Sequence, residues 1–351
     1  MLSKSEQLHI AVAGVGHWGP NLIRNFYTSN RSNITAVCDH DLKRLDLIKS
    51  AYPDIEVTTS FDDLLKNDRV EAIVIATPTE THFELARQSL SAGKHVFVEK
   101  PIATTKRDCD ELLDLAKTNK RHLFVGHVFV YNAGIRAVKK YIESQELGTI
   151  YYVNLTRTNL GPIRTDVNAF WDLAPHDISI LNYWFPDKPR TVNAVGAVYL
   201  NQGVEDTVYA TYRYADGMIA NIHTSWLHPK KVREITVIGE KKMIVWNDLD
   251  LNHPIKVYDK NVTFIKDEEQ LIDTFSSFHA NIHEGDTLLP KIRLNEPLKA
   301  ECEAFLDVVL DGKNSLSSGL HGAHVVNAML AAENSISAAG REVEIDYSIG
   351  D

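Results

Sequence analysis

Short β-branched runs alternate with amphipathic helical stretches over the first third of the chain, and no other feature narrows its fold so far. Leu8 to Val15 reads as a strand and Pro20 to Tyr27 as a helix. Ile34 to Asp39 is a second strand and Leu42 to Ser50 a helix. Val70 to Thr77 is nearly all apolar, as a strand buried on both faces should be. A helix over Thr81 to Ser91 ends at Gly93, and His95 to Glu99 is the next strand. Thr105 to Lys117 is a helix and Leu123 to Val128 another strand. Such alternation demands right-handed crossovers and a parallel, doubly wound sheet.

The pattern changes near Gly126, which sets expected domains at residues 1–125 and 126–351. Ala133 to Ser144 is a helix with Gly148 just beyond it. Long β-type runs follow at Ile150 to Thr158, Thr191 to Leu200, Thr207 to Tyr214, Met218 to Trp226 and Val232 to Trp246. Ala215-Asp216-Gly217 marks a hairpin. Strands without intervening helices predict an α+β domain with a large open antiparallel sheet. One helix interrupts it near Trp171 to Tyr183, and Leu298 to Leu310 and Ala323 to Ala339 are late helices.

Gly14-x-Gly16-x-x-Gly19 follows the first strand and opens the first helix, the context in which a glycine-rich turn is a dinucleotide fingerprint of the Rossmann type. Gly14 permits the tight turn, Gly16 lets the backbone approach a pyrophosphate, and Gly19 lets helix and strand pack closely. His17 and Trp18 lie inside the turn. Asp39 ends the second strand, where a carboxylate accepts from ribose hydroxyls and repels a 2′-phosphate. NAD is expected over NADP. A turn or helix-cap aspartate is the plainer account of Asp39.

Thr77-Pro78-Thr79 ends the most buried strand, at the edge where open α/β sheets bind ligands. Thr79 alternatively caps the next helix, and His82 one turn on faces cofactor or solvent. Glu99-Lys100-Pro101 ends the neighbouring strand, which sets Lys100 beside any nicotinamide in the cleft; taken alone, a surface lysine is the plainer account. Asp172 and His176 share one helical face; a helix N-cap and a surface imidazole are the plainer account of the pair alone, but a histidine beside a carboxylate and a lysine suits general-base chemistry near neutral pH. His279, His283 and Glu284 resemble a metal cluster, but exposed histidines explain them better, and no metal is expected.

Among the 351 residues are 47 acidic and 37 basic ones, a net charge of −10 that repels nucleic acid and anionic membranes. Cys38, Cys109 and Cys302 have no disulfide or metal spacing. Met1 to Gln7 is polar and charged, and no apolar run reaches membrane-spanning length. The cytoplasm is the expected compartment.

Gly14-x-Gly16-x-x-Gly19, Ala76-Thr77-Pro78, Glu99-Lys100-Pro101 and Asp172-x-x-x-His176 together resemble the glucose–fructose oxidoreductase/inositol dehydrogenase family over nearly the whole chain. The resemblance implies an active site of Lys100, Asp172 and His176. It also implies a cis proline after the lysine, and dimers or tetramers built through the C-terminal sheet. The last helix, about 322–340, is expected to pack back on the first domain. Gly19-Pro20-Asn21 and the segment Asn168 to Asp177 are similar to dehydrogenases that oxidise the C3 hydroxyl of UDP-N-acetylglucosaminuronate. Many relatives carry glycine where this chain has Pro175.

On that reading His176 removes a hydroxyl proton, Lys100 steadies the alkoxide and Asp172 orients the base. Arg157, Arg164 and Arg136 are candidates for a diphosphate. Lys230, Lys231 and Arg233 form a second cluster that a solvated hairpin end explains equally well. Tyr131, Asn132 and Trp171 are expected substrate contacts, with a helix start as the alternative for the first two. A free polyol or simple-sugar dehydrogenase is one rival function, and a non-enzymatic NAD sensor another.

Overall fold

The computed structural model describes residues 7–165, 167–200, 203–264 and 280–349. Its first part runs β1 (Leu8–Ala13), α1 (Gly19–Thr28), β2 (Ser32–Cys38), α2 (Leu42–Ala51), β3 (Glu56–Thr58), α3 (Phe61–Lys66), β4 (Ala72–Ile75), α4 (Thr79–Ser91), β5 (His95–Glu99), α5 (Lys106–Thr118) and β6 (Leu123–Gly126). The strands form an all-parallel sheet in the order β3-β2-β1-β4-β5-β6. The order reverses between β1 and β4, so the carboxyl ends of β1, β2, β4 and β5 open onto one crevice. β4 is buried throughout, which accounts for its unbroken apolar run.

After a 3-10 turn at Val128–Tyr131 come α6 (Ala133–Glu143), β7 (Ile150–Leu160), α7 (Ala169–Trp184), β8 (Thr191–Ala197), β9 (Thr207–Arg213), β10 (Ile219–Ser225), β11 (Leu227–Gly239), β12 (Met243–Asn247), β13 (Ile255–Phe264) and β14 (Ala280–Leu288). The chain closes with α8 (Pro297–Asp311), α9 (Gly319–Ser337) and β15 (Val343–Glu344). Among the described residues the second sheet has the order β14-β13-β12-β11-β7-β10-β9-β8-β15. It is mixed, not purely antiparallel: β7 lies beside β10 and runs parallel to it. The helix α7 between β7 and β8 supplies the crossover that a parallel pair needs.

Polar side chains fix the helix starts. Asp41 accepts from the Lys43 and Arg44 amides at α2, Thr105 from Asp108 at α5, Asn168 from Trp171 at α7 and Ser318 from His321 at α9. Trp184, Trp226 and Trp246 are fully buried under the second sheet, and the Trp184 indole donates to the Ile135 carbonyl. α9 packs on β8 and α7 and also on α5 and β6, while α8 packs on α1 and β1. Among the described residues no helix is long and apolar enough to cross a membrane.

One buried group sits behind the crevice without a partner. Glu301 on α8 is 0% exposed, and neither carboxyl oxygen has a hydrogen-bond partner among the described residues. Burial and the nearby Glu99 carboxyl push its pKa well above the usual glutamate value of 4.5. The folded chain therefore holds this proton where the unfolded chain has released it. Stability contributed by the proton is present in acid and declines as pH rises above 4.5. Glu301→Met should be more stable than the parent by about 1–3 kcal/mol at pH near 8, with a smaller gain near pH 4. Urea unfolding at both values checks this; a gain that does not grow with pH contradicts it.

Candidate active site

A cavity of about 1330 Å³ follows the carboxyl edge of the parallel sheet and continues beneath α7. At one end the glycine turn forms a cradle. A Cβ on Gly14 would stand 2.7 Å from the Ala76 carbonyl oxygen, and one on Gly19 only 2.0 Å from that of Gly14. Gly14 also holds φ +93, so a side chain is excluded there twice over. Gly16 is open: its nearest neighbour would be Arg44 at 3.6 Å, which leaves its backbone free for a pyrophosphate. Asp39 locks the turn, its Oδ2 accepting from the Val15 amide at 2.7 Å and its Oδ1 from the Asp41 amide at 2.9 Å. Asp41, not Asp39, caps α2. The cradle has the room a dinucleotide pyrophosphate needs, with Asp39 in the wall beside it.

Gly14, Gly16, His17, Trp18, Asp39, Thr77, Pro78, His82, Glu99 and Lys100 all line this cavity; Gly19 lies just behind, where it brings α1 against β1. Thr79 does not cap α4 through its side chain; it is the first helical residue, after Pro78. His82 is buried with Nδ1 2.7 Å from the Pro101 carbonyl and Nε2 2.9 Å from that of Thr77. It braces the ends of β4 and β5 against each other and does not reach solvent.

Beyond the cradle the wall is formed by Lys100, Arg164, Trp171 and Asp172, with Glu205 and Glu333 near them. The Lys100–Pro101 bond is cis. Lys100 Nζ donates to the Asp172 carbonyl at 3.0 Å. Pro175, inside α7, has no N–H for the Trp171 carbonyl four residues earlier, so the backbone ladder is interrupted beside the carbonyl that Lys100 takes. Burial lowers the Lys100 pKa from the usual lysine range; Asp172 and Glu99 oppose this, and Arg164 and Arg157 add to it. Glu99 is pushed up to about 7 by burial, against the pull of Lys100.

The Asp172 carboxylate does not orient His176. Its Oδ1 accepts from Arg164 at 3.2 Å and its Oδ2 from the Trp226 indole at 3.2 Å. His176 lies one turn deeper, outside the cavity lining, with its ring edge-on to Phe129 at 4.9 Å and its Nδ1 buried without a partner among the described residues. Burial first, then the charges of Lys100, Arg157 and Arg233 and the neighbouring His127, hold its pKa well below the usual histidine value. A neutral imidazole is the form a general base requires.

Four expected substrate or diphosphate contacts are placed elsewhere. Arg157 is 3% exposed and spent on Asp177, with Nη2 2.7 Å from Oδ1, and its guanidinium stacks 4.4 Å from the Phe129 ring. Tyr131 is buried against Phe124. Asn132 caps α6, accepting from the Gly134 and Ile135 amides, as its helix-start reading has it. Arg136 is not in the lining and neighbours Tyr183. Of the second basic cluster, Arg233 pairs with Asp248. His283 pairs with Asp259 and Glu284 with Lys260 across β13 and β14; His279 lies outside the described residues. Sequence reasoning missed His127, Phe129, Trp226, Glu205 and Glu333. His127 carried a usable signal, since it follows β6 directly at the sheet edge that selected Lys100.

The sequence profile described as "Oxidoreductase family, NAD-binding Rossmann fold" matches residues 8–127, and the GFO/IDH/MocA C-terminal domain profile matches residues 135–245. Myo-inositol 2-dehydrogenase of Thermotoga maritima is 25% identical over 231 residues, 62% of this chain and 68% of that protein. The crystal structure of GenD2 from gentamicin A biosynthesis in complex with NAD superposes with a TM-score of 0.79 at 25% identity, covering 98% of this chain and 97% of that one. The UDP-N-acetylglucosamine 3-dehydrogenase GnnA from Acidithiobacillus ferrooxidans has the same fold, with a TM-score of 0.79 at 22% identity over 95% and 99% of the two chains. With a glycine cradle that suits NAD and two of the family's profiles matching residues 8–127 and 135–245, the chain belongs to the GFO/IDH/MocA family of NAD-binding oxidoreductases.

Proposed function

We propose that the chain oxidises a secondary hydroxyl on a sugar ring, the sugar carried by a nucleotide and the closest substrate type being UDP-N-acetylglucosaminuronate oxidised at C3. The observation that carries the reading is Lys100. Its ammonium stands in the cavity wall at the end of β5, held by the Asp172 carbonyl and near a half-buried His176 whose pKa is held well below the usual histidine value. Bound NAD supplies the hydride acceptor. His176 takes the hydroxyl proton, Lys100 donates a hydrogen bond to the oxygen as negative charge develops, and Arg164 and Trp226 hold the Asp172 carboxylate in the wall. Trp171, whose indole donates to Glu333 at 3.2 Å, gives the sugar an aromatic surface.

The nucleotide is supported by room and charge. A cavity of about 1330 Å³ exceeds what one drug-sized ligand fills, and Arg164 lies in its wall. The chain's resemblance to sugar-nucleotide dehydrogenases at Gly19-Pro20-Asn21 and Asn168 to Asp177 points the same way. A free polyol is the second reading. It is favoured by Arg157, which is tied to Asp177 and withdrawn from any diphosphate, and by the inositol dehydrogenase relative.

Nicotinamide reduction measured over UDP-sugars, dTDP-sugars and free polyols separates the two. Arg164→Gln should raise KM for a nucleotide sugar about 10- to 100-fold, while KM for a neutral polyol stays within about twofold. Turnover of polyols alone, with Arg164→Gln leaving their KM unchanged, overturns the nucleotide reading.

A further inference from the structure

Glu333 stands near the carboxyl end of α9, where the helix dipole gives an acid no support and the last turn supplies no basic residue. Among the described residues its carboxylate has one hydrogen-bond partner, the Trp171 indole, whose Nε1 donates to Oε2 at 3.2 Å, and no cation pairs with it. Its Oε1 is left to accept from something else. Ile336 and Ser337, three and four residues on, share this face of the helix, and all three side chains line the cavity. Trp171 and, four residues before it, Val167 line the cavity as well. The packing of α9 on α7 brings these groups together.

This part of the wall thus offers a charged acceptor, a hydroxyl and two aliphatic side chains beside an aromatic ring. An acetamido group has matching needs: an N–H to donate, a carbonyl to accept and a methyl to cover. A ring hydroxyl would use the acceptor and leave the aliphatic side chains idle. A phosphate or carboxylate would be repelled by Glu333. A primary ammonium would be drawn to Glu333 but would gain nothing from Val167 and Ile336.

Resting on the sugar-dehydrogenase reading above, we propose that the end of α9 is a specificity site for an acetamido substituent on the sugar, with Glu333 accepting its N–H, Ser337 donating to its carbonyl, and Ile336 and Val167 covering its methyl. The sugar ring lies against Trp171, which the Glu333 carboxylate also holds in place. Because an unpaired carboxylate repels phosphate, the diphosphate is left to Arg164. Discrimination follows from the same bond: a sugar without the amide leaves Oε1 to water and loses a hydrogen bond to a charged acceptor.

The full chain loaded with NADH cannot oxidise a bound sugar, so calorimetry reads binding without turnover. UDP-N-acetylglucosaminuronate and UDP-glucuronate differ only at C2, acetamido in the first and hydroxyl in the second. The parent should bind the first about 10- to 100-fold more tightly. Glu333→Gln keeps an oxygen for the Trp171 indole but replaces the other with an N–H donor, which meets the amide N–H donor to donor. The preference should then fall to within about threefold of none. N-acetylglucosamine against glucose makes the same comparison for a substrate without a nucleotide. A parent with no acetamido preference in either pair overturns the site, as does a Glu333→Gln chain that keeps the preference. Tighter binding of glucosamine than of N-acetylglucosamine overturns it too. If Glu333→Gln weakens both sugars of a pair alike, Glu333 serves only to hold Trp171 and the proposal fails. The catalytic reading fails separately: selective acetamido binding with full turnover in Lys100→Met would sink the dehydrogenase assignment and leave the binding site standing.

Discussion

Lys100→Met lowers kcat by about 10²- to 10⁴-fold while NAD binding stays near wild type, the range expected for losing one positioned proton-handling group. The side chain stands in the cavity wall and is held by one bond, Nζ to the Asp172 carbonyl at 3.0 Å. Methionine matches its length and loses the charge, so the cradle at Gly14, Gly16 and Asp39 is untouched. Arginine in its place should not restore rate, because its broad, always charged fork neither fits that single carbonyl nor gives up a proton. Burial already brings the Lys100 pKa down from the usual lysine value, so the same group bears on the pH profile. In the parent, rate should fall as pH rises through that lowered value. In Lys100→Met this alkaline limb should vanish. Turnover within tenfold of wild type, or an unchanged alkaline limb, would contradict the assignment.

Breaking the Arg157–Asp177 pair is the second large effect. Both side chains are almost fully buried, with Nη2 to Oδ1 at 2.7 Å and Nε to Oδ1 at 3.2 Å. Asp177→Ala leaves a guanidinium in the interior without its partner and should cost about 3–5 kcal/mol in urea unfolding. Removing both charges together, as Arg157→Met with Asp177→Leu, should recover most of that loss, because two well-packed apolar side chains carry no desolvation penalty. Function should then change in a definite direction. Arg157 helps to keep His176 unprotonated, so its removal raises the His176 pKa. The acidic limb of the rate profile, below which the base is protonated, moves to higher pH. A double variant as unstable as Asp177→Ala, or a profile that moves to lower pH, would refute this picture of the pair.

The parallel sheet was legible because its information is local. Apolar runs such as Ala72–Ile75, the spacing of Gly14, Gly16 and Gly19, and the acid closing β2 lie within single turns and strands. Lys100 was legible by a topological rule, since chain ends on one edge of such a sheet meet in the crevice. Contacts across long sequence distances were not. Nothing near Arg157 announces that Asp177, twenty residues on, is packed against it, so an arginine suited to phosphate proved to be a buried structural cation. Asp172 was expected to serve His176 four residues on, yet its carboxylate is taken by Arg164 and by Trp226, which lies on a different element. The β7–β10 pairing looked antiparallel because the sequence shows strand order and not the crossover through α7. β13 and β14 escaped notice for a simpler reason: exposed positions such as Val262 and Ile282 break the inside–outside alternation that marks a strand.

A crystal structure of the chain with NAD bound would show whether Lys100 and His176 face the reacting ring. The pyrophosphate should lie over Gly16, the adenosine ribose at Asp39 and the nicotinamide face toward Lys100, with His176 reachable across the space left for a sugar carbon. A nicotinamide lying away from Lys100 and His176, or a dinucleotide bound outside the glycine turn, would contradict it.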